Sequence, residues 1–271
     1  MRTLFPLVSV LAMSLPLAVQ AADDNASPGD WTGTGEVGLA LARGNSKSES
    51  LNAKLNFKKE DAVWKDNFYL TALRNKGEVK VSKVVDGQTV SADEYQATAN
   101  RFEAGASAGY KLSPRDYVIG ALRYEKDDFA AFQWQAAVSI GYGYIAIKNP
   151  DTELSFEIGP GYKRVQPVDT LVISGDPPVA TTVTPSSQGE LIGRGLMNFS
   201  HKLNGSTSIE DKLLVEAGSD GQFVQNDIGL VVKMNDKLAL KVAHQLRYNG
   251  KIAPGSKHSD QLLTTNLVYS F

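Results

Sequence analysis

From Trp31 to the terminal Phe271 the chain repeats one pattern: apolar and aromatic residues at every second position, charged and amide residues between them, and short polar turns in between. Successive side chains of a β-strand point to opposite faces, so this period specifies strands with one apolar and one polar face. The pattern is most decisive where a helix competes with it. Phe129 to Ile147 carries no charged residue and by length could pass for a spanning helix. Within it, however, Trp134, Ala136, Val138, Ile140, Tyr142, Tyr144 and Ala146 alternate with Gln133, Gln135, Ala137, Ser139, Gly141 and Gly143, which is the period of a strand. The last nine residues behave alike, with Leu263, Thr265, Leu267, Tyr269 and Phe271 on one face and Thr264, Asn266, Val268 and Ser270 on the other.

Strands are expected to begin near Trp31, Ser48, Trp64, Arg101, Tyr117, Gln133, Leu154, Gln188, Ser208, Phe223, Lys237 and His258, about twelve in all. Turn residues separate them at Gly44-Asn45-Ser46, Ser113-Pro114-Arg115-Asp116, Asn149-Pro150-Asp151, Asn204-Gly205, Ser219-Asp220-Gly221 and Asn235-Asp236. The expected fold is all-β, a transmembrane antiparallel up-and-down β-barrel over residues 31–271. Lys76 to Asp93 reads as a polar loop whose weak alternation at Val79 to Val85 fits a strand extension. Gln166 to Ser187 reads as the longest loop. Pro160 predicts a bulge or local break, because proline cannot donate to a ladder.

An even strand count puts both chain ends on one side. If the closing strand ends in the periplasm, the connections after even strands are periplasmic and short, and those after odd strands face outward and include the long ones. A soluble sandwich or lipocalin-like barrel would alternate as well. Three features stand against it: charged faces on nearly every strand, the apolar end at Phe271, and a girdle of Trp31, Trp64, Tyr110, Tyr117, Tyr124, Tyr162, Tyr248 and Tyr269 near strand ends.

Ahead of the barrel, Thr3 to Ala22 is uncharged and follows Arg2, and the run Leu4 to Val19 ends in the small-residue pattern Val19-Gln20-Ala21. Residues 1–21 are therefore expected to be a signal peptide and 22–30 a periplasmic lead-in, giving a bacterial outer-membrane location after cleavage. Pro6 and Pro16 interrupt a run already short for an anchor. Absence of cysteine removes disulfides, thiolate metal sites, cysteine nucleophiles and lipoprotein attachment. With 28 basic against 30 acidic residues, a nucleic-acid partner is not expected. The expected partners are outer-membrane lipid and the barrel-assembly machinery.

The inward register collects Lys54, Lys58, Arg101, Lys111, Arg123, Arg194, Lys212, Lys233, Lys241 and Arg247 with Glu36, Glu103, Glu125, Asp127, Glu157, Glu190, Glu210, Glu216, Asp227 and Asp260. This balance favours cross-lumen ion pairs and a narrow or closed pore over an open selective channel. Arg123, Glu125 and Arg247 are the constriction candidates. No catalytic, cofactor-binding or metal residues are expected. His258 and Asp260 share a strand face that Ser259 does not, His201 and His244 fall in the outward register, and Gly159-x-Gly161 lies within a strand, so neither a triad nor a phosphate cradle has its context.

The chain also resembles a bacterial domain-of-unknown-function family of outer-membrane proteins described as salt-induced and YdiY-like. The matching pieces are Trp31-x-Gly33-x-Gly35-Glu36-x-Gly38, Gly44-Asn45-Ser46 followed by Leu51-Asn52, Tyr110-Lys111-Leu112-Ser113, Tyr124-Glu125-x-Asp127-x-Phe129, Gly159-x-Gly161-Tyr162, Leu214-Val215-Glu216-x-Gly218 and Leu267-Val268-Tyr269-Ser270-Phe271. The resemblance implies outer-membrane location and an envelope or salt-stress association, and brings no catalytic residues with it. By similarity to other outer-membrane proteins, Tyr269 and Phe271 form the assembly signal. The function expected is a non-enzymatic barrel, with a narrow pore for small solutes as its activity. The alternatives are a lipid-modifying outer-membrane enzyme and a soluble periplasmic ligand-binding barrel.

Overall fold

The structure, a computed structural model, describes residues 29–42, 47–85, 88–174, 179–252 and 257–271. The expected signal peptide at 1–21, the expected lead-in up to residue 28 and the expected Gly44-Asn45-Ser46 turn lie outside them. The strands are β1 (Trp31–Ala42), β2 (Ser48–Glu60), β3 (Trp64–Val85), β4 (Gln88–Lys111), β5 (Asp116–Asp127), β6 (Phe132–Lys148), β7 (Thr152–Pro167), β8 (Thr170–Ser174), β9 (Val179–Val183), β10 (Gln188–Lys202), β11 (Thr207–Gly218), β12 (Gly221–Lys233), β13 (Leu238–Asn249) and β14 (Ser259–Ser270). All but β8 and β9 form one closed antiparallel barrel of twelve strands, each beside its barrel neighbours in the chain, with β14 returning to β1.

Alternation sorts the side chains as the sequence requires. Leu55, Leu122, Val138, Ile158, Leu191, Leu230 and Leu267 are exposed on the outside, while Glu103, Arg123, Glu125, Glu157, Glu216 and Arg247 are buried within. A water-soluble barrel would invert this arrangement, because exposed contiguous apolar surface is costly in water. The apolar outer band and polar interior are those of a transmembrane barrel.

One end of the barrel carries Trp31 and Phe271 and is called here the terminal end; the other is the far end. The five connections at the terminal end share one construction. Asp61, Ser113, Asn149, Asn204 and Asn235 each accept, through a side-chain oxygen, the backbone N–H groups two and three residues on. These short polar side chains mimic a backbone turn and reverse the chain in three or four residues. At Asp61, the N–H groups of Trp64 and Val63 hold the carboxyl below its ordinary pKa.

The far end differs from the expected loops in two places. Most of Lys76 to Asp93 is not a loop: the strand extension expected at Val79 to Val85 is present, and β3 and β4 run on as a paired ribbon out to Val85 and Gln88, with one register shift between Asn75 and Lys76. The ribbon pairs with itself from Val79 outward, beyond the last bond to the β2 side, which Glu78 N–H makes to the Lys47 carbonyl at 3.2 Å. Gln166 to Ser187 contains the hairpin β8–β9, formed by the β-branched segments Thr170–Ser174 and Val179–Val183.

Pro160 marks a local break and not a bulge. The β6–β7 ladder drops its pairs at Ile140 and Gly141 opposite Pro160 and Gly159 but resumes in the same register, and its register shifts lie at Phe132/Trp134 and Ile145/Ile147. Gly141 and Gly159 permit this, because a Cβ at Gly159 would stand 2.1 Å from the Ile140 carbonyl oxygen. Tyr117, placed in the outer girdle by its position at a strand end, is inside instead: it is 1% exposed and packs with Ile119 and Ile145 near the terminal end. Its odd position, shared with Arg123 and Glu125, puts it on the inward face.

The seam between β1 and β14 is short. Only Thr34 to Val37 pair with Leu267 to Ser270, against eleven residue pairs between β13 and β14. The terminal residue completes it: Gly33 N–H donates to the Phe271 carbonyl at 2.6 Å and Phe271 N–H to the Gly33 carbonyl at 2.9 Å. The Phe271 ring lies over Gly33, where a Cβ would meet it at 2.3 Å, and packs edge-on against Phe57 at 5.8 Å.

Candidate functional site

Near the far end, inward side chains from five strands close on one another. Arg123 and Glu125 lie on β5, Gln135 on β6, Glu216 on β11, Phe223 on β12 and Arg247 on β13, all within the last few residues of their strands at that end. Arg123 donates Nη1 to Glu125 Oε2 at 2.7 Å, and Nε and Nη2 to the two oxygens of Glu216 at 3.1 and 2.5 Å. Arg247 Nη2 donates to Glu125 Oε1 at 2.5 Å, and Gln135 Nε2 to Glu125 Oε2 at 2.8 Å. Both carboxylates therefore have both oxygens engaged, the condition under which buried charge is tolerable. Burial is nearly complete, at 0% exposure for Glu125, 1% for Glu216 and 3% for Arg247.

Phe223 occupies the middle of this cluster. The Arg123 and Arg247 guanidiniums stand 4.8 and 5.0 Å from its ring centroid. A ring face attracts both cations and keeps them apart, so one aromatic residue orders two arginines.

The cluster spans the lumen. In the barrel order, β5 and β13 are six strands apart in a ring of twelve, so Glu125 and Arg247 reach each other from opposite walls. A circular ring of twelve strands tilted at about 40° would be roughly 24 Å across between backbones. An extended Arg and Glu joined by one hydrogen bond bridge only roughly 14 Å. The barrel is thus flattened at this level, with its opposite walls joined by a direct ion pair.

Below this level the lumen is laced by further polar contacts. Tyr69 donates to Glu103 at 2.7 Å, and Lys212 lies 4.9 Å over the Tyr69 ring. Arg194 and Tyr117 both reach Glu157 at 3.1 Å. Lys241 bridges Glu36 and Glu210 at 3.2 and 3.0 Å, and Lys111 meets Glu60 at 2.8 Å at the terminal end. Lys54 and Lys58 make no ion pair among the described residues. Above the cluster a vestibule of about 240 Å³ opens to the far end, with Arg247 and Glu125 in its floor and Arg101, Asp127, Gln245 and Asp260 among its walls.

The structure brings Arg123, Glu125 and Arg247 together in one network. Reading the sequence for charge alone missed Phe223 and left Glu216 unranked among the inward acids. Phe223 was legible in principle, since its parity with Gln225 and Asp227 puts a large aromatic ring on a polar face. Tyr269 and Phe271 lie elsewhere, stacked at 6.1 Å outside the terminal-end seam.

Each histidine has a structural partner and, among the described residues, none bonds a carboxylate: His201 contacts Thr152 at 2.8 Å, His244 contacts Gln261 at 3.4 Å, and His258 contacts the Asn249 carbonyl at 2.7 Å. Asp211, in the outward register, accepts a hydrogen bond from Asn226 at 2.6 Å. No group of His, Asp or Glu among the described residues is arranged to hold a metal ion.

Residues 35–271 match a family model described as "Protein of unknown function, DUF481". The chain belongs to this family. No curated protein matches it. Among solved structures it is similar to the translocator domain of the autotransporter NalP from Neisseria meningitidis, at 13% identity over 92% of this chain and 90% of that one, with a TM-score of 0.47. It is also similar to the NanC porin, at 8% identity, 89% and 98% coverage and a TM-score of 0.42. A third is the COG4313 outer membrane channel from Pseudomonas putida F1, at 10% identity, 93% and 100% coverage and a TM-score of 0.43. At these scores the likeness carries no functional argument, and the reading of this family member rests on its own lumen.

Proposed function

We propose that this family member is a non-enzymatic bacterial outer-membrane barrel whose lumen is a narrow pore for small solutes, constricted near its outer mouth by the Arg123, Glu125, Glu216, Phe223 and Arg247 network. The observation that carries this reading is the direct contact of Glu125 with Arg247 from opposite walls. Structural plugs and pores both need polar interiors; here charged side chains line the interior from the Lys111–Glu60 pair to the vestibule, and opposite walls meet at the Glu125–Arg247 contact. In this reading the terminal end is periplasmic, the far end is outside, and residues 1–21 are removed as a signal peptide. Tyr269 and Phe271 then present the closing strand to the assembly machinery. The family resemblance supports an envelope or salt-stress role.

Planar-bilayer recording of the purified mature barrel tests the pore. Small resolved conductance steps support it, and a silent barrel that is folded by heat-modifiable migration contradicts it.

A further inference from the structure

Two Arg/Asp pairs face each other across the vestibule. Arg101 on β4 is the cross-strand partner of Asp127 on β5, and Arg247 on β13 that of Asp260 on β14. Opposite charges placed directly across an antiparallel pair ordinarily bond to each other. Neither pair does so. Each arginine instead crosses to the other wall, Arg101 donating to Gln245 at 2.5 Å and Arg247 to Glu125 at 2.5 Å.

The crossing leaves both signs of charge unspent. The Asp127 carboxylate accepts only the Phe129 backbone N–H, at 3.0 Å, and Asp260 has no hydrogen bond or ion pair among the described residues. Arg247 is 3% exposed, yet its Nε and Nη1 have no acceptor among the described residues. Such orphaned donors on a buried guanidinium are costly unless something else engages them. The positive charges of Arg101 and Arg247 also repel each other across the same space.

We propose that the vestibule is a binding site for a small zwitterion, of the class of α-amino acids. The ligand carboxylate sits toward Arg101 on the vestibule wall, where it relieves the repulsion between Arg101 and Arg247 below it. Its ammonium faces Asp127 or Asp260. A simple anion would satisfy the arginines but stand against two free carboxylates, and a simple cation would meet the converse. A cavity of about 240 Å³ admits a molecule of this size and excludes long oligomers. The proposal rests on the reading of the far end as open to outside solute. The two fail separately, because conductance reports the pore and titration reports the site.

Calorimetric titration of the full mature barrel in detergent, with alanine, acetate and methylammonium as probes, tests it. Alanine is expected to bind roughly tenfold or more tightly than either single-charge probe. Arg101→Gln and Asp260→Asn, which lie outside the constriction network, should each weaken alanine binding about tenfold. Acetate binding as tightly as alanine would reduce the site to a plain anion site and overturn the proposal. So would alanine binding that neither variant changes, or no alanine binding by a barrel whose fold is verified by heat-modifiable migration.

Discussion

Arg123 on β5 and Glu216 on β11 are 93 residues apart in sequence and meet through two parallel hydrogen bonds, Nε to Oε1 at 3.1 Å and Nη2 to Oε2 at 2.5 Å. Paired forks of this kind fix orientation as well as distance. With both side chains less than a tenth exposed, the pair ties two non-adjacent strands across the lumen.

Removing Glu216 strips two of the three hydrogen bonds from a buried Arg123, which keeps only its contact with Glu125. Glu216→Leu should destabilise the barrel by about 3–5 kcal/mol, whereas Arg123→Met combined with Glu216→Leu should recover most of that loss. The temperature at which the compact barrel converts to its slow-migrating unfolded form in gels reads both. Equal losses in the single and double variants would mean that the pair does not act as a unit.

The closing seam depends on its last residue. Deleting Phe271 removes two backbone hydrogen bonds and the ring that covers Gly33, while Gly33→Val forces that ring aside with the chain length intact. Both variants should accumulate in the outer membrane at levels several-fold below wild type. Normal levels of both would show that the four-pair seam closes without Phe271.

The outer face offers a test of its solvent. Leu55, in the middle of β2, is 43% exposed. Leu55→Arg should cost about 2–4 kcal/mol if that face meets hydrocarbon, and close to nothing if it meets water. Unfolding measured in lipid vesicles distinguishes the two.

The strand count, the inward and outward faces and the terminal-end turns were legible in the sequence because each is local: a period of two, or one side chain beside the N–H groups it caps. Register-level features were less so. The ribbon showed its first half, in the alternation at Val79 to Val85, but its returning half Gln88 to Asp93 read as loop because it is mostly polar. Tyr117 resembled a girdle residue until its parity was weighed against its place at a strand end. Arg123, Glu125 and Arg247 could be chosen by face and sign. That Glu125 and Arg247 touch depends on the closure of the ring and its flattening, which no local pattern encodes.

The ribbon makes its own prediction. Replacing Lys80–Asp93 with an Asn-Gly turn joins Val79 to its cross-strand partner Glu94 through a two-residue hairpin. Because the excised segment pairs only with itself, the shortened barrel should fold and migrate with unchanged heat-modifiability. Loss of the compact form would show that the ribbon supports the barrel wall.

Conductance across the constriction bears most directly on the account as a whole. Glu125→Ala with Arg247→Ala removes the ion pair between β5 and β13, six strands apart, and leaves Arg123 held by Glu216. Single-channel recordings of wild type and this double variant, each verified as folded, should show small steps for the first and several-fold larger steps for the second. Equal conductance in both, or no steps from either, would contradict a pore narrowed at Glu125 and Arg247.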